Sequence, residues 1–266
     1  MKLEEFQHRF ADLWDVDPQD ADHPRDRRFR QVVGLDGAMA TENKLALLNT
    51  AAAHLDSGEV YLEVGAFRGT SIVGAATDNP EASFVTVDNF SQFDGSRERF
   101  WQTVRASGSK NIDLREGDFR EVLRTGLQET IGVYFYDGPH SFRDQWDALE
   151  LVEPHLSDRA LVIVDDASAR QVRAANRAFA RCHPRFALLR RLESAYNGEP
   201  RWWNGIEIYT YDRSKPNESL TRHIFYWSGR FLYGGLFVIW HVHLRPPIRV
   251  AGSRIKRLFS GPGART

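Results

Sequence analysis

One cysteine in 266 residues, Cys182, leaves no intramolecular disulfide framework and fits a reducing compartment. No stretch supplies the ~20 apolar residues that a membrane-spanning helix needs. The most apolar run, residues 224 to 240, is interrupted by Arg230 and three glycines. The opening residues, MKLEEFQHRFADLWD, have neither the cationic start nor the apolar centre of a secretory signal, so a cytoplasmic location is expected. Internal repeats and low-complexity segments are also lacking, which sets aside solenoids and disordered arrays. Net charge is nearly absent at -1, but unevenly so: residues 213 to 266 carry 10 Lys and Arg against Glu218 alone, and the preceding 212 carry a net -10. An acidic body gives no electrostatic footprint for nucleic acid.

What is present is a globular composition, 42% hydrophobic and 27% charged. Between residues 59 and 164, short apolar runs alternate with longer stretches at helical spacing, the pattern of a parallel sheet covered by helices. The runs EVYLEV (59 to 64), SFVTVD (83 to 88), NIDLRE (111 to 116), IGVYFYD (131 to 137) and ALVIVDD (160 to 166) are rich in β-branched and aromatic residues and predict five strands. A helix over about 168 to 181 and two β-prone runs, RFALLRRLE and WWNGIEIYTYD, predict an antiparallel end to the sheet. Ahead of the first strand, TENKLALLNTAAAHL (41 to 55) predicts a helix capped by Thr41. The expected organisation is an N-terminal helical arm or lid (1 to 40), an α/β body (41 to 212) and an aromatic, basic extension (213 to 266).

The first strand runs into LEVGAFRGTS, giving Glu63, Gly65 and Gly69 as E-x-G-x-x-x-G, with a helix starting near Thr70. Gly65 permits a tight turn, and the helix N-terminus presents free N–H groups. A dinucleotide fingerprint would carry glycine where Glu63 stands, and that carboxylate would repel a pyrophosphate, so a ligand bearing an amino group fits better. The second strand ends at Asp88, placed to accept from both hydroxyls of a ribose. After the third comes EGDF, where Asp118 could accept from an adenine amine and Phe119 cover the ring. A glycine turn alone is often only a packing solution; three such elements in order at consecutive strand ends describe S-adenosylmethionine.

With these residues in view, residues 41 to 212 resemble a class I S-adenosylmethionine-dependent methyltransferase. YLEVGAFRGTS resembles its first motif, VTVD its ribose acid and EGDF its adenine motif. The resemblance implies a Rossmann-like, doubly wound seven-stranded sheet of order 3-2-1-4-5-7-6 with the seventh strand reversed. It also implies a cofactor cradle of Glu63, Gly65, Ala66, Gly69, Thr70, Asp88, Asp118 and Phe119.

Asp137 ends the fourth strand, and Asp165 and Asp166 end the fifth, so three carboxylates should share one crevice. Strands lie about 4.8 Å apart, and like charges that close require a proton or a cation. A hard divalent ion, Mg²⁺ or a similar cation held by Asp137, Asp165 and Asp166, answers that difficulty. His140, of a residue type that titrates near neutrality, would take the proton of an acceptor hydroxyl, with Asp137 beside it in the catalytic set. The competing assignments are cofactor contact for Asp137, capping of the following helix for Asp165 or Asp166, and a helix-start role for His140. YDGPHSF followed by DD resembles metal-dependent O-methyltransferases acting on sugar hydroxyls of macrolides and other glycosides. Catechol-type relatives carry lysine where His140 stands.

The expected activity is therefore metal-assisted O-methyl transfer to a small polyhydroxylated, glycosyl-bearing acceptor. The alternatives are a metal-independent methyltransferase, a nicotinamide oxidoreductase and a non-catalytic cofactor binder. The tail, aromatic over 224 to 240 and basic to 257, is expected either to lie on an anionic inner-membrane surface or to pack on the body or a second copy of the chain.

Overall fold

The computed structural model describes residues 1–34, 38–92, 96–196, 198–217 and 222–239. Seven strands form one sheet in the order β3-β2-β1-β4-β5-β7-β6. They are β1 (Glu59–Val64), β2 (Ser83–Asp88), β3 (Ile112–Glu116), β4 (Thr130–Tyr136), β5 (Leu156–Val164), β6 (Phe186–Leu192) and β7 (Ile206–Asp212). The first five pair in parallel, while β7 runs antiparallel to both β5 and β6. This is the expected topology, and the strands fall within a few residues of the runs that predicted them.

Parallel strands are buried on both faces, so successive side chains feed two cores. Tyr61, Phe84, Val133, Phe135 and Ile163 point to one side. There they meet α3 (Glu42–Ala53), α4 (Thr70–Ala76) and α5 (Arg97–Ser107) through Leu47, Leu48, Ile72, Val73 and Phe100. Leu62, Val64, Tyr134, Val162 and Val164 point to the other. There they meet α7 (Phe142–Val152) and α8 (Arg170–Cys182) through Trp146, Leu149, Val172 and Phe179. Helix α3 has no polar face: every residue from Asn43 to Ala52 is buried, Lys44 included.

The N-terminal segment packs into the first core. Phe6 and Phe10 of α1 (Leu3–Ala11) and Trp14 are buried. Trp14 Nε1 donates to Asn43 Oδ1 at 2.7 Å, and its ring lies 5.5 Å from that of Trp202. At the other end, α9 (Arg222–Ile239) packs one aromatic face on α7, with Tyr226 5.2 Å from Trp146 and Tyr233 stacked 5.9 Å from Phe142. Its other face shows Trp227 at 58% and Phe231 at 82% exposure. Residues 240 to 257 of the expected membrane-facing segment lie outside the described residues.

Candidate active site

A cleft of about 280 Å³ opens at the carboxyl ends of the parallel strands. Gly65, Asp88, Asp118 and Phe119 line one part of it, and Asp137, His140, Asp165 and Asp166 another. Backbone conformation marks the same place: among described residues, five non-glycines have left-handed φ, and four of them, Phe67, Phe90, Asp166 and Trp203, line the cleft. Such conformations cost of order 1–3 kcal/mol each and persist where the surroundings impose them, typically at ligand sites.

The glycine turn is required by its surroundings. Gly65 has φ +100°, and a Cβ there would lie 2.2 Å from the Asp137 carbonyl oxygen, so only glycine lets the β1 exit pass the β4 exit. Gly69, at φ +81°, forms the N-cap of α4, and Thr70 begins that helix. Ala66, Gly69 and Thr70 support the turn without lining the cleft. Glu63 is fully buried just before the lining residues Val64 and Gly65. Its Oε1 accepts from Ser71 Oγ at 2.7 Å while Oε2 has no hydrogen-bond partner. Burial pushes its carboxyl up to about 8, against the opposing pull of the Ser71 hydroxyl and the Lys44 ammonium.

Asp88 fixes two loops at once: Oδ2 accepts from the Phe67 N–H and Oδ1 from the Phe90 N–H, each at 2.7 Å. A carboxylate offers about four lone-pair sites, so capacity for a diol remains. Asp118 caps the short α6 (Phe119–Glu121), accepting from Arg120 N at 2.8 Å. Phe119 packs edge-on against Tyr136 at 5.6 Å.

At the far end of the cleft the three acids do converge, as the strand ends required. The capping assignment is not what the acids do, since the N-cap of α8 is Ala169, with no side-chain cap. Asp166 Oδ2 lies 3.0 Å from His140 Nε2, and Asp166 Oδ1 accepts from Asn204 Nδ2 at 2.5 Å. Asp165 Oδ1 accepts from the Asp166 N–H at 2.9 Å. Its Oδ2 accepts from the ammonium of Lys44, a residue the sequence reading left inside a helix. The same ammonium stands 4.0 Å from Asp137 Oδ2. Burial, then the negative charge of Asp165, holds Asp137 well above the usual carboxylate range. Asp166 is raised by the same two causes in the same order.

This arrangement does not support the expected donor set for Mg²⁺. A magnesium site needs carboxylate oxygens free to reach ~2.0–2.1 Å in near-octahedral geometry. Here all four oxygens of Asp165 and Asp166 already have protein partners, and a fixed cation stands between Asp165 and Asp137. Among the described residues no group of three or more His, Cys, Asp or Glu is arranged to hold a metal ion.

The cleft mouth adds Met39, Asn89, Gln92, Trp203 and Asn204, while Trp202 is core. Lys44 was missed. Its signal was a lone lysine in the first turn of a helix followed by mainly apolar or small residues.

Comparison with known proteins accords with this geometry. Residues 62–167 match the family described as a methyltransferase domain. No curated protein matches the chain. A structure from Klebsiella pneumoniae, described provisionally as an O-methyltransferase, is similar with a TM-score of 0.55 and 18% identity, over 71% of this chain and 91% of that one. The O-methyltransferase TomG from Streptomyces achromogenes, involved in tomaymycin synthesis and solved with SAM, gives 0.53 and 15%, over 80% and 99%. The SAH-bound methyltransferase PaMTH1 from Podospora anserina gives 0.52 and 13%, over 79% and 95%. At such identities the likeness establishes the fold alone, and the fold is the Rossmann-like methyltransferase fold.

Proposed function

We propose that the protein is an S-adenosylmethionine-dependent O-methyltransferase in which His140, oriented by Asp166, removes the proton of an acceptor hydroxyl. The observation that carries this reading is the 3.0 Å contact of His140 Nε2 with Asp166 Oδ2 inside the cleft that Gly65, Asp88 and Asp118 also line.

The residues fit the donor. Asp88, held rigid by two amides, suits a ribose diol; Asp118 and Phe119 suit an adenine edge and face. Glu63, with one buried oxygen unpartnered beneath the turn, keeps its proton in the empty site and would ionise against an ammonium placed there. When bound, the donor supplies an electrophilic methyl on a sulfonium. An Nε2–H pointed at Asp166 leaves Nδ1 of His140 as the proton acceptor, and Asp166 stabilises the imidazolium that forms. The C–O bond forms as the S–C bond breaks, the acceptor leaves as a methyl ether, and its proton remains on His140. Holding both reactants in one cleft is worth up to roughly 7–11 kcal/mol in well-oriented cases.

The acceptor we favour is a small polyhydroxylated compound, a glycoside above all. The partly exposed Trp203 ring and the amides of Asn89, Gln92 and Asn204 at the mouth supply the apolar face and hydrogen bonds that a sugar needs. The outward face of α9 supports peripheral contact with an anionic bilayer. Trp227, Phe231 and Leu232 are exposed, Arg170, Arg177 and Arg181 of α8 are exposed alongside, and the basic tail follows.

The test uses a radiolabelled methyl donor and a panel of hexosides and phenolic glycosides. His140→Gln should lower kcat about 10²–10⁴-fold. Affinity for S-adenosylhomocysteine by calorimetry should stay within about twofold, because His140 acts on the acceptor side. An unaltered rate in that variant would remove His140 from the reaction.

A further inference from the structure

Lys44 is the only buried lysine or arginine among the described residues. Removing an ammonium from water is costly unless it is paired and hydrogen-bonded, so its position needs a cause. The cause lies far along the chain. Lys44 sits on the first turn of α3, where its own N–H is capped by Thr41 Oγ at 3.2 Å. Its Nζ donates to Asp165 Oδ2, across a sequence separation of 121, and lies 4.0 Å from Asp137 Oδ2. Burial by itself would lower the ammonium's pKa, and the attraction of Asp165, then of Asp137 and Asp166, outweighs it and pushes the pKa up. Helix α3 is held in place independently of this contact, by Leu45, Leu47 and Leu48 in the core and by Asn49 Nδ2 donating to the Gly74 carbonyl at 3.0 Å. The lysine is therefore delivered to the acids by a rigid element.

We infer that Lys44 is the resident cation of the acceptor site, occupying by a protein side chain the place a divalent ion would need, so that the acid cluster is neutralised without metal. This rests on the methyl-transfer reading for its consequence, that the acceptor hydroxyl meets His140 beside a fixed ammonium. The ammonium orders Asp165 and Asp137, and through the Asp166 N–H bond to Asp165 it steadies the carboxylate that orients His140. Lys44 is a positioning residue: it acts on the acceptor through the acids.

Divalent-ion binding tests the inference without any turnover. With Mn²⁺ as the probe, followed by electron paramagnetic resonance on chelator-stripped full chain, the wild type should bind no stoichiometric ion below millimolar concentration. Lys44→Met leaves the three carboxylates unneutralised and should bind Mn²⁺ at least about tenfold more tightly. Lys44→Arg, which keeps the charge, should resemble the wild type. Retained S-adenosylhomocysteine binding certifies that each variant is folded. Stoichiometric micromolar Mn²⁺ binding by the wild type would overturn the inference, as would a folded Lys44→Met that gains none. If Lys44→Met does not fold, the wild-type titration decides alone, absence of binding supporting the inference and stoichiometric binding ending it. A wild type that binds no S-adenosylhomocysteine would instead sink the methyl-transfer reading and leave the ion result standing.

Discussion

Two glutamates are fully buried in this sheet, Glu63 at the end of β1 and Glu207 at the start of β7, and they are treated differently. Glu207 is closed. Oε1 accepts from Arg191 at 2.6 Å, and Oε2 accepts from Asn176 Nδ2 at 2.8 Å and from Tyr209 OH at 2.7 Å. Glu63 is open: Ser71 satisfies one oxygen, and nothing satisfies the other. A low-dielectric interior makes an unpaired polar atom expensive, so a structural carboxylate is surrounded until no capacity remains. One left with capacity, beneath a cleft rimmed by left-handed backbone, is poised for a ligand. The acids at the β4 and β5 ends belong with Glu63, because Asp137 and the neighbouring His140 still face the cleft.

The comparison breaks first at Glu207. Glu207→Ala strips Arg191, Asn176 and Tyr209 of their shared partner and should cost about 3–5 kcal/mol in denaturant unfolding, since removing one member of a buried pair strands the other. S-adenosylhomocysteine affinity should be almost unchanged in the folded fraction. A loss under 1 kcal/mol, on the order of a surface change, would mean the cluster is not what holds β6 to β7.

Glu63 sharpens the contrast through pH. Its carboxyl titrates near 4.5 when unfolded and at about 8 when folded, so the folded state holds the extra proton between those values. Stability should therefore fall as pH rises across that window, by at most about 1.4 kcal/mol per pH unit from this group. Glu63→Gln should flatten that slope. Thermal unfolding of both proteins at several pH values checks it, and parallel curves would show that Glu63 is ionised in the folded state.

The smallest effect belongs to the outward face of α9. Phe231 is 82% exposed, so Phe231→Glu should shift stability by less than about 0.5 kcal/mol. The same change should abolish flotation with phosphatidylglycerol vesicles if that face meets an anionic bilayer. Unchanged flotation would show that the exposed aromatics are not the membrane contact.

Much of this molecule was legible from local pattern. Strands buried on both faces read as continuous apolar runs, which is why EVYLEV, SFVTVD and IGVYFYD marked β1, β2 and β4 so closely. Asp88, Asp137 and Asp165 were legible as residues of one cleft because parallel strands bring their carboxyl ends to one rim. The Mg²⁺ expectation came from a sound premise, that three crowded carboxylates need a cation, and no local pattern announced the ammonium that stands beside them. Lys44 gave little warning, because a helix without a polar face reads as core and its charge is explained only by strands that begin after residue 129. Residues 1 to 40 were read as a helical arm or lid, and the burial of Phe6, Phe10 and Trp14, spaced as one helical face and its continuation, was not read from the sequence.

The sequence by itself determined the α/β alternation, the glycine that must pass the β4 exit and the acids at the strand ends, because these depend on residues near in the chain and on the fixed geometry of parallel strands. The tertiary structure alone decided that an ammonium from α3 stands among those acids, that His140 meets Asp166, and that Glu63 keeps an unpartnered oxygen where Glu207 has none. Which charges face each other across a core depends on how independent elements pack, and no local periodicity encodes that.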